Sequence, residues 1–174
     1  MIKKEIDNIK ISKRWSFTLW SCIERYLLVI FPFAISLVSL SMIKSGVINN
    51  NMELQTIGWI MFIASFTFTF LLSIKLYNNQ FFQSYKIQNL TIENIENSLQ
   101  KSGFENFRYN EIGFFEVFMG ITWFSWGGTL ILIPTKNELL LNNRTKGLNG
   151  VILPFTSFII NKKIKYFLRE LKNI

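Results

Sequence analysis

The side chains able to carry acid–base or metal chemistry are few and scattered. Histidine is absent, which removes every mechanism that needs an imidazole base or ligand. The lone cysteine, Cys22, excludes a disulfide framework and a cysteine-rich zinc site. It lies at the edge of an apolar run, where an inert thiol is expected rather than a lipidated one. The carboxylates of the C-terminal half are Glu93, Glu96, Glu105, Glu111, Glu116, Glu138 and Glu170. Glu111 and Glu116 are five positions apart, so in an extended strand they face opposite sides and form no convergent acid–base pair. Metal ligation by glutamates alone, without His, Cys or Asp in that half, is not expected. The Gly127-Gly128 pair lacks the lysine and spacing of a phosphate loop. These residues point to no catalytic site, no metal and no cofactor, and therefore to a protein that is not an enzyme.

The residues that do stand out belong to surfaces. Six large aromatics, Phe114, Phe115, Phe118, Trp123, Phe124 and Trp126, fall within 13 residues. Most of them suit the core of a small domain. Trp123 and Trp126 are candidates for contact with a membrane or a partner. Near the C-terminus, Lys162, Lys163, Lys165, Arg169 and Lys172 share one side of an expected helix. Lys162, Lys163, Lys165 and Arg169 are the candidate contacts there, with anionic headgroups or with a partner.

Two long uncharged runs decide the class of protein. Tyr26 to Ile43 is 18 residues without a charge and Leu54 to Ile74 is 21. About 20 apolar residues in a helix cross a hydrocarbon core of ~30 Å. The 174-residue chain is too short to bury both runs as soluble core helices. A cleaved signal peptide is not expected, because the first run starts 25 residues in and no small-x-small site precedes the second. The segment between them, KSGVINNNME, reads as a tight polar loop, so the runs form a helical hairpin. Pro32 falls inside the first span. Ser36, Ser39, Ser41, Ser65, Thr67 and Thr69 suit close helix contact.

Charge orients the hairpin. The net charge is +8, from 19 Lys/Arg against 11 Asp/Glu. Lys3, Lys4, Lys10, Lys13, Arg14 and Arg25 precede the first span, and the loop carries only Lys44. Cations favour the cytoplasmic side, so both termini are expected there. Trp15, Trp20 and Trp59 then read as interfacial aromatics. With the spans in place, the basic balance implies a lipid bilayer and no nucleic acid. The Ile/Lys/Asn-rich usage suggests a bacterial source, hence a multi-pass protein of the inner membrane.

The expected organisation has three parts. Residues 1–25 are a basic cytoplasmic lead-in that fixes topology, with lipid docking as its alternative. Residues 26–76 hold the transmembrane hairpin, with spans at 26–43 and 54–74. Residues 87–174 form a small cytoplasmic α+β domain made of a helix, antiparallel strands and a C-terminal helix. Thr91 caps a helix over 91–102 that stops at Gly103. Phe104–Tyr109, Gly113–Phe124 and Gly150–Ile160 read as strands. Thr129–Ile133 and Glu138–Leu141 form a hairpin across Pro-Thr-Lys-Asn. Asn161 caps the last helix. The uncharged stretch 117–135 is a rival third span or re-entrant segment, opposed by its glycines and by the cations that follow it.

Three functions fit this organisation. The first is a non-enzymatic inner-membrane protein whose cytoplasmic domain binds a protein partner, as an immunity protein or accessory subunit does. The second is a two-span effector controlled by a ligand on that domain, with spans that form homo-oligomers. The third is a transport or channel subunit, disfavoured because neither span contains an ionisable residue.

Overall fold

A computed structural model describes residues 3–15, 19–88, 90–120, 127–145 and 158–173. The chain divides into two compact units, one made of residues 17–78 and the other of residues 1–16 together with 79–174.

The first unit is a pair of long helices, α2 (Leu19–Ile48) and α3 (Met52–Asn78). Both are longer than the uncharged runs within them. The expected ten-residue loop shrinks to Asn49–Asn51, because Lys44 to Ile48 continues α2. The turn is built by asparagine. Asn50 takes the left-handed conformation, φ 49°, and the Asn51 side chain accepts from the Leu54 amide at 3.0 Å as the cap of α3. The helix runs on through Pro32.

Small residues recur along the seam between the helices. Pro32, Ser36, Ser39 and Gly46 are buried on α2, and Gly58, Ser65, Leu72 and Leu76 on α3. Their steps of three, four and seven place them on one face of each helix. A Cβ on Gly58 would lie 3.0 Å from the Ile43 amide nitrogen and 3.2 Å from the Ser39 carbonyl oxygen. One on Gly46 would lie 2.7 Å from the Gln55 nitrogen. The glycines therefore set the closeness of the backbones. Ser36 and Ser65 hydroxyls meet across the seam at 2.9 Å. Ser39 is also buried and Thr69 half-buried, whereas Ser41 and Thr67 point outward.

The second unit is a five-stranded antiparallel sheet with helices. Its elements are α1 (Lys3–Ser12), β1 (Gln83–Lys86), α4 (Ile92–Lys101), β2 (Phe107–Asn110), β3 (Phe114–Met119), β4 (Gly128–Pro134), β5 (Glu138–Thr145) and α5 (Phe158–Lys172). The strand order is β1-β5-β4-β3-β2. Strands β3 and β4 pair directly, Val117 opposite Leu130, so the described parts of 117–135 are sheet and not a third spanning helix. The expected strand at 150–160 is corrected at its end: Phe158–Ile160 opens α5, and Asn161 lies inside the helix rather than capping it. Its residues 150–157 lie outside the described ones.

Both faces of the sheet are covered, which is why β4 reads as the continuous run TLILI, with all five residues buried. On one face Phe115, Val117, Leu130, Leu132, Leu139 and Leu141 pack with Ile95 and Leu99 of α4 and Ile164, Phe167, Leu168 and Leu171 of α5. Thr91 caps α4 as expected, accepting from the Asn94 amide at 3.2 Å. Gly103 ends it with φ 74°, donating to the Gln100 carbonyl while Phe104 donates to that of Leu99. That paired closure needs a left-handed residue, which glycine supplies without strain.

The opposite face carries Phe114, Ile131, Ile133 and Leu140, all buried. Just past α1, Lys13 reaches Glu138 of β5, and α1's Ile6 and Ile9 are fully buried. The N-terminal segment is thus not a free basic lead-in but a piece of the distal domain. Trp15, expected at a membrane interface, is buried there with its ring 5.0 Å from that of Phe82.

Candidate interaction surface

The chain leaves the second unit after Trp15 and re-enters it at Asn79, and these two points are tied together. Arg14 and Phe81 form an antiparallel bridge, with Phe82 N–H donating to Lys13 O at 2.8 Å and Trp15 N–H to Gln80 O at 3.0 Å. The Arg14 guanidinium donates twice to the Gln80 side chain, at 2.7 and 3.2 Å, and lies 5.5 Å over the Phe81 ring. The Asn142 amide donates to the carbonyls of Asn79 and Phe81 at 3.1 and 2.8 Å. Lys13, held left-handed at φ 52°, donates to the Glu138 carboxylate at 2.8 Å, and Ser84 donates to the same oxygen. The Lys13 ammonium, and then the Ser84 hydroxyl, hold the Glu138 carboxyl below its ordinary range.

Strand β1 follows directly, at the edge of the sheet. Backbone groups of a strand alternate in direction. Ile87 N–H donates toward β5, to Asn137 O at 3.3 Å, while Phe82 N–H donates away from it, to Lys13. The even-numbered residues therefore face outward, and past the Arg14 bridge the edge presents the main-chain groups of Ser84 and Lys86. The odd-numbered side chains, Gln83 and Tyr85, point to the face that α5 covers. Tyr85 donates to the Gln83 side chain at 2.6 Å, and partial burial raises its phenol above the ordinary value.

Between β1 and α5 runs an open groove of about 450 Å³, lined by Gln83, Tyr85, Asn161, Lys162, Ile164, Lys165 and Leu168. Its floor is apolar, and its α5 wall carries two ammonium groups. No carboxylate is among these lining residues.

The four cations singled out in sequence have different surroundings. Lys162, Lys165 and Arg169 are exposed on α5, and Lys162 and Lys165 line the groove. Lys163 is committed locally, donating to the Gly103 carbonyl at 2.9 Å and lying 5.7 Å over the Phe104 ring. Trp123 and Trp126 lie outside the described residues. Glu116, opposite Arg108 and Ile131 in the strand pairing, meets Arg108 of β2 at 3.4 Å. Sequence reading missed Gln83 and Tyr85, because QSYK is short, polar and without apolar alternation. The only signal was Tyr85 itself, a β-favouring aromatic between polar neighbours.

The arrangement offers cationic and main-chain hydrogen-bonding groups beside an apolar floor. Those are means of binding. Among the described residues no cluster of three or more His, Cys, Asp or Glu side chains occurs. The chain matches no protein-family model, no curated protein and no solved structure.

Proposed function

We propose that the protein is an integral membrane protein in which α2 and α3 cross the bilayer as a hairpin. On this reading α1, the sheet, α4 and α5 act on the cytoplasmic side as one non-enzymatic module that binds a protein partner. The observation that carries the membrane reading is the apolar surface of the helix pair. Phe31, Phe33, Leu37, Val38, Ile60, Ile63, Phe66, Phe70 and Leu71 are all exposed. Only 22% and 17% of the two apolar windows are buried, whereas a soluble core helix is mostly buried. Lipid is the solvent that suits such a surface.

Connectivity supports one sidedness. Residues before α2 and after α3 belong to one compact unit, which supports placing both flanks on one side of the bilayer. The six cations ahead of the span assign that side to the cytoplasm. A binding role for the module rests on the groove and open edge beside α5, in the absence of any convergent catalytic set among the described residues. An accessory or immunity-type protein of this kind is silent when expressed by itself. A photo-crosslinking residue at Tyr166, exposed on α5, is expected to trap a protein adduct in cells, while one at Met52, the first residue of α3, traps none. Growth arrest on expression of the protein alone would instead favour a membrane effector, and the partner-binding reading would be abandoned.

A further inference from the structure

We propose that β1 and α5 form a docking groove for an acidic, extended segment of a partner protein. The segment adds as a further strand on the outer edge of β1 and sets alternate side chains against Tyr85, Ile164 and Leu168. This rests on the partner-binding reading above and states the chemistry of the partner.

Three features meet at one place. The first is the edge. Ser84 and Lys86 present outward main-chain groups, and the chain already uses the adjoining stretch of that edge to pair Lys13–Trp15 with Gln80–Phe82. An added strand continues that pairing in line, which is the usual way a sheet edge takes a peptide. The second is the groove beside the edge. Side chains of an added strand alternate, so every second one enters the space between β1 and α5. The apolar floor there accepts aliphatic or aromatic groups. The third is charge. Lys162 and Lys165 line the groove, no carboxylate does, and neither lysine is in an ion pair among the described residues. Glu138, the one acid in β5, is taken by Lys13 and Ser84. Carboxylates on the incoming segment complement the two ammonium groups, and basic segments are repelled.

The test uses full-length protein in detergent micelles and an array of heptapeptides alternating Val or Tyr with Glu, Gln or Lys. Binding is expected to concentrate on the Glu peptides. The double change Lys162→Glu, Lys165→Glu should weaken their binding about tenfold or more and shift preference to the Lys peptides. N-methylation of the Glu peptide at alternate residues should abolish binding, because the strand then lacks its donors. Lys86→Pro removes an outward N–H without touching the ladder to β5, so it should weaken binding similarly while the circular dichroism spectrum stays unchanged. Indifference to both N-methylation and Lys86→Pro would overturn strand addition. Absence of saturable binding, or preference for Lys peptides by the unaltered protein, would overturn the proposal. So would competition-free binding of dihexanoyl phosphatidylglycerol in the same groove, which would assign it to lipid headgroups, or groove-dependent dimers, which would assign it to a second copy. The peptide outcomes leave a Tyr166 crosslink to a different protein untouched, so the broader reading is tested separately.

Discussion

Glu138 ties the two ends of the sequence together, because it takes both the Lys13 ammonium and the Ser84 hydroxyl. Its carboxyl is held below the ordinary range, so the ionised form is favoured by folding. A depressed carboxylate contributes stability above its unfolded pKa of about 4.3 and loses it as pH falls through the lower, folded value. The Lys13 and Glu138 side chains are 43% and 24% exposed, so solvent screening limits the pair to at most about 1 kcal/mol. Amide protection factors in α1 are expected to fall as the pH drops below about 4, with less change in Glu138→Gln, whose protection starts lower. Equal pH dependence in the two proteins would remove Glu138 from this role. Legibility at this scale is partial. The cations of α5 stand out in sequence, yet Lys163 separates from the rest because Gly103, 60 positions away, needs a donor. Contacts of that range leave no mark on local pattern. Thr91 and Gly103 were legible because caps act within a few residues.

The two long helices are the most legible elements, since length without charge needs no tertiary information. Their ends are not. Lys44 to Ile48 carries loop-like residues, but continuing α2 lets Gly46 approach Gln55, a gain visible only with α3 in place. Changing Gly58 to Ala should push the helices apart, since its Cβ would meet backbone on α2 within 3.2 Å. A loss of about 1–3 kcal/mol in mixed-micelle unfolding is expected. Changing Ser36 to Ala removes the hydroxyl contact to Ser65 across the seam and, if the pair lies in lipid as proposed, should cost about 0.6 kcal/mol. A larger loss at Ser36 than at Gly58 would mean that hydrogen bonding, not backbone closeness, holds the seam. In the sheet, the β4–β5 hairpin was legible from two apolar runs flanking a turn. Strand β1 was not, because QSYK is ordered by pairing with Leu139–Leu141 rather than by its own propensity.

At the scale of the whole molecule, a boundary at residue 87 would omit both α1 and β1, because the module is assembled from the two ends of the sequence. Buried apolar residues on both faces of the sheet require cover on both. Helix α1 is amphipathic in sequence, through Ile6 and Ile9, but nothing local says which surface it meets. Removing residues 3–12 should uncover the apolar surface against which Ile6 and Ile9 are buried and leave the protein prone to aggregate, read as loss of monodispersity in detergent. An unchanged elution profile would show that α1 is dispensable. The arrangement as a whole stands or falls on sidedness, and reporter fusions at Asn8, Asn50 and Asn173 of the full chain measure it most directly. A hairpin whose flanks form one module requires cytoplasmic signals at Asn8 and Asn173 and an external signal at Asn50. Opposite signals at Asn8 and Asn173 would contradict it, because one compact unit cannot be divided by a bilayer.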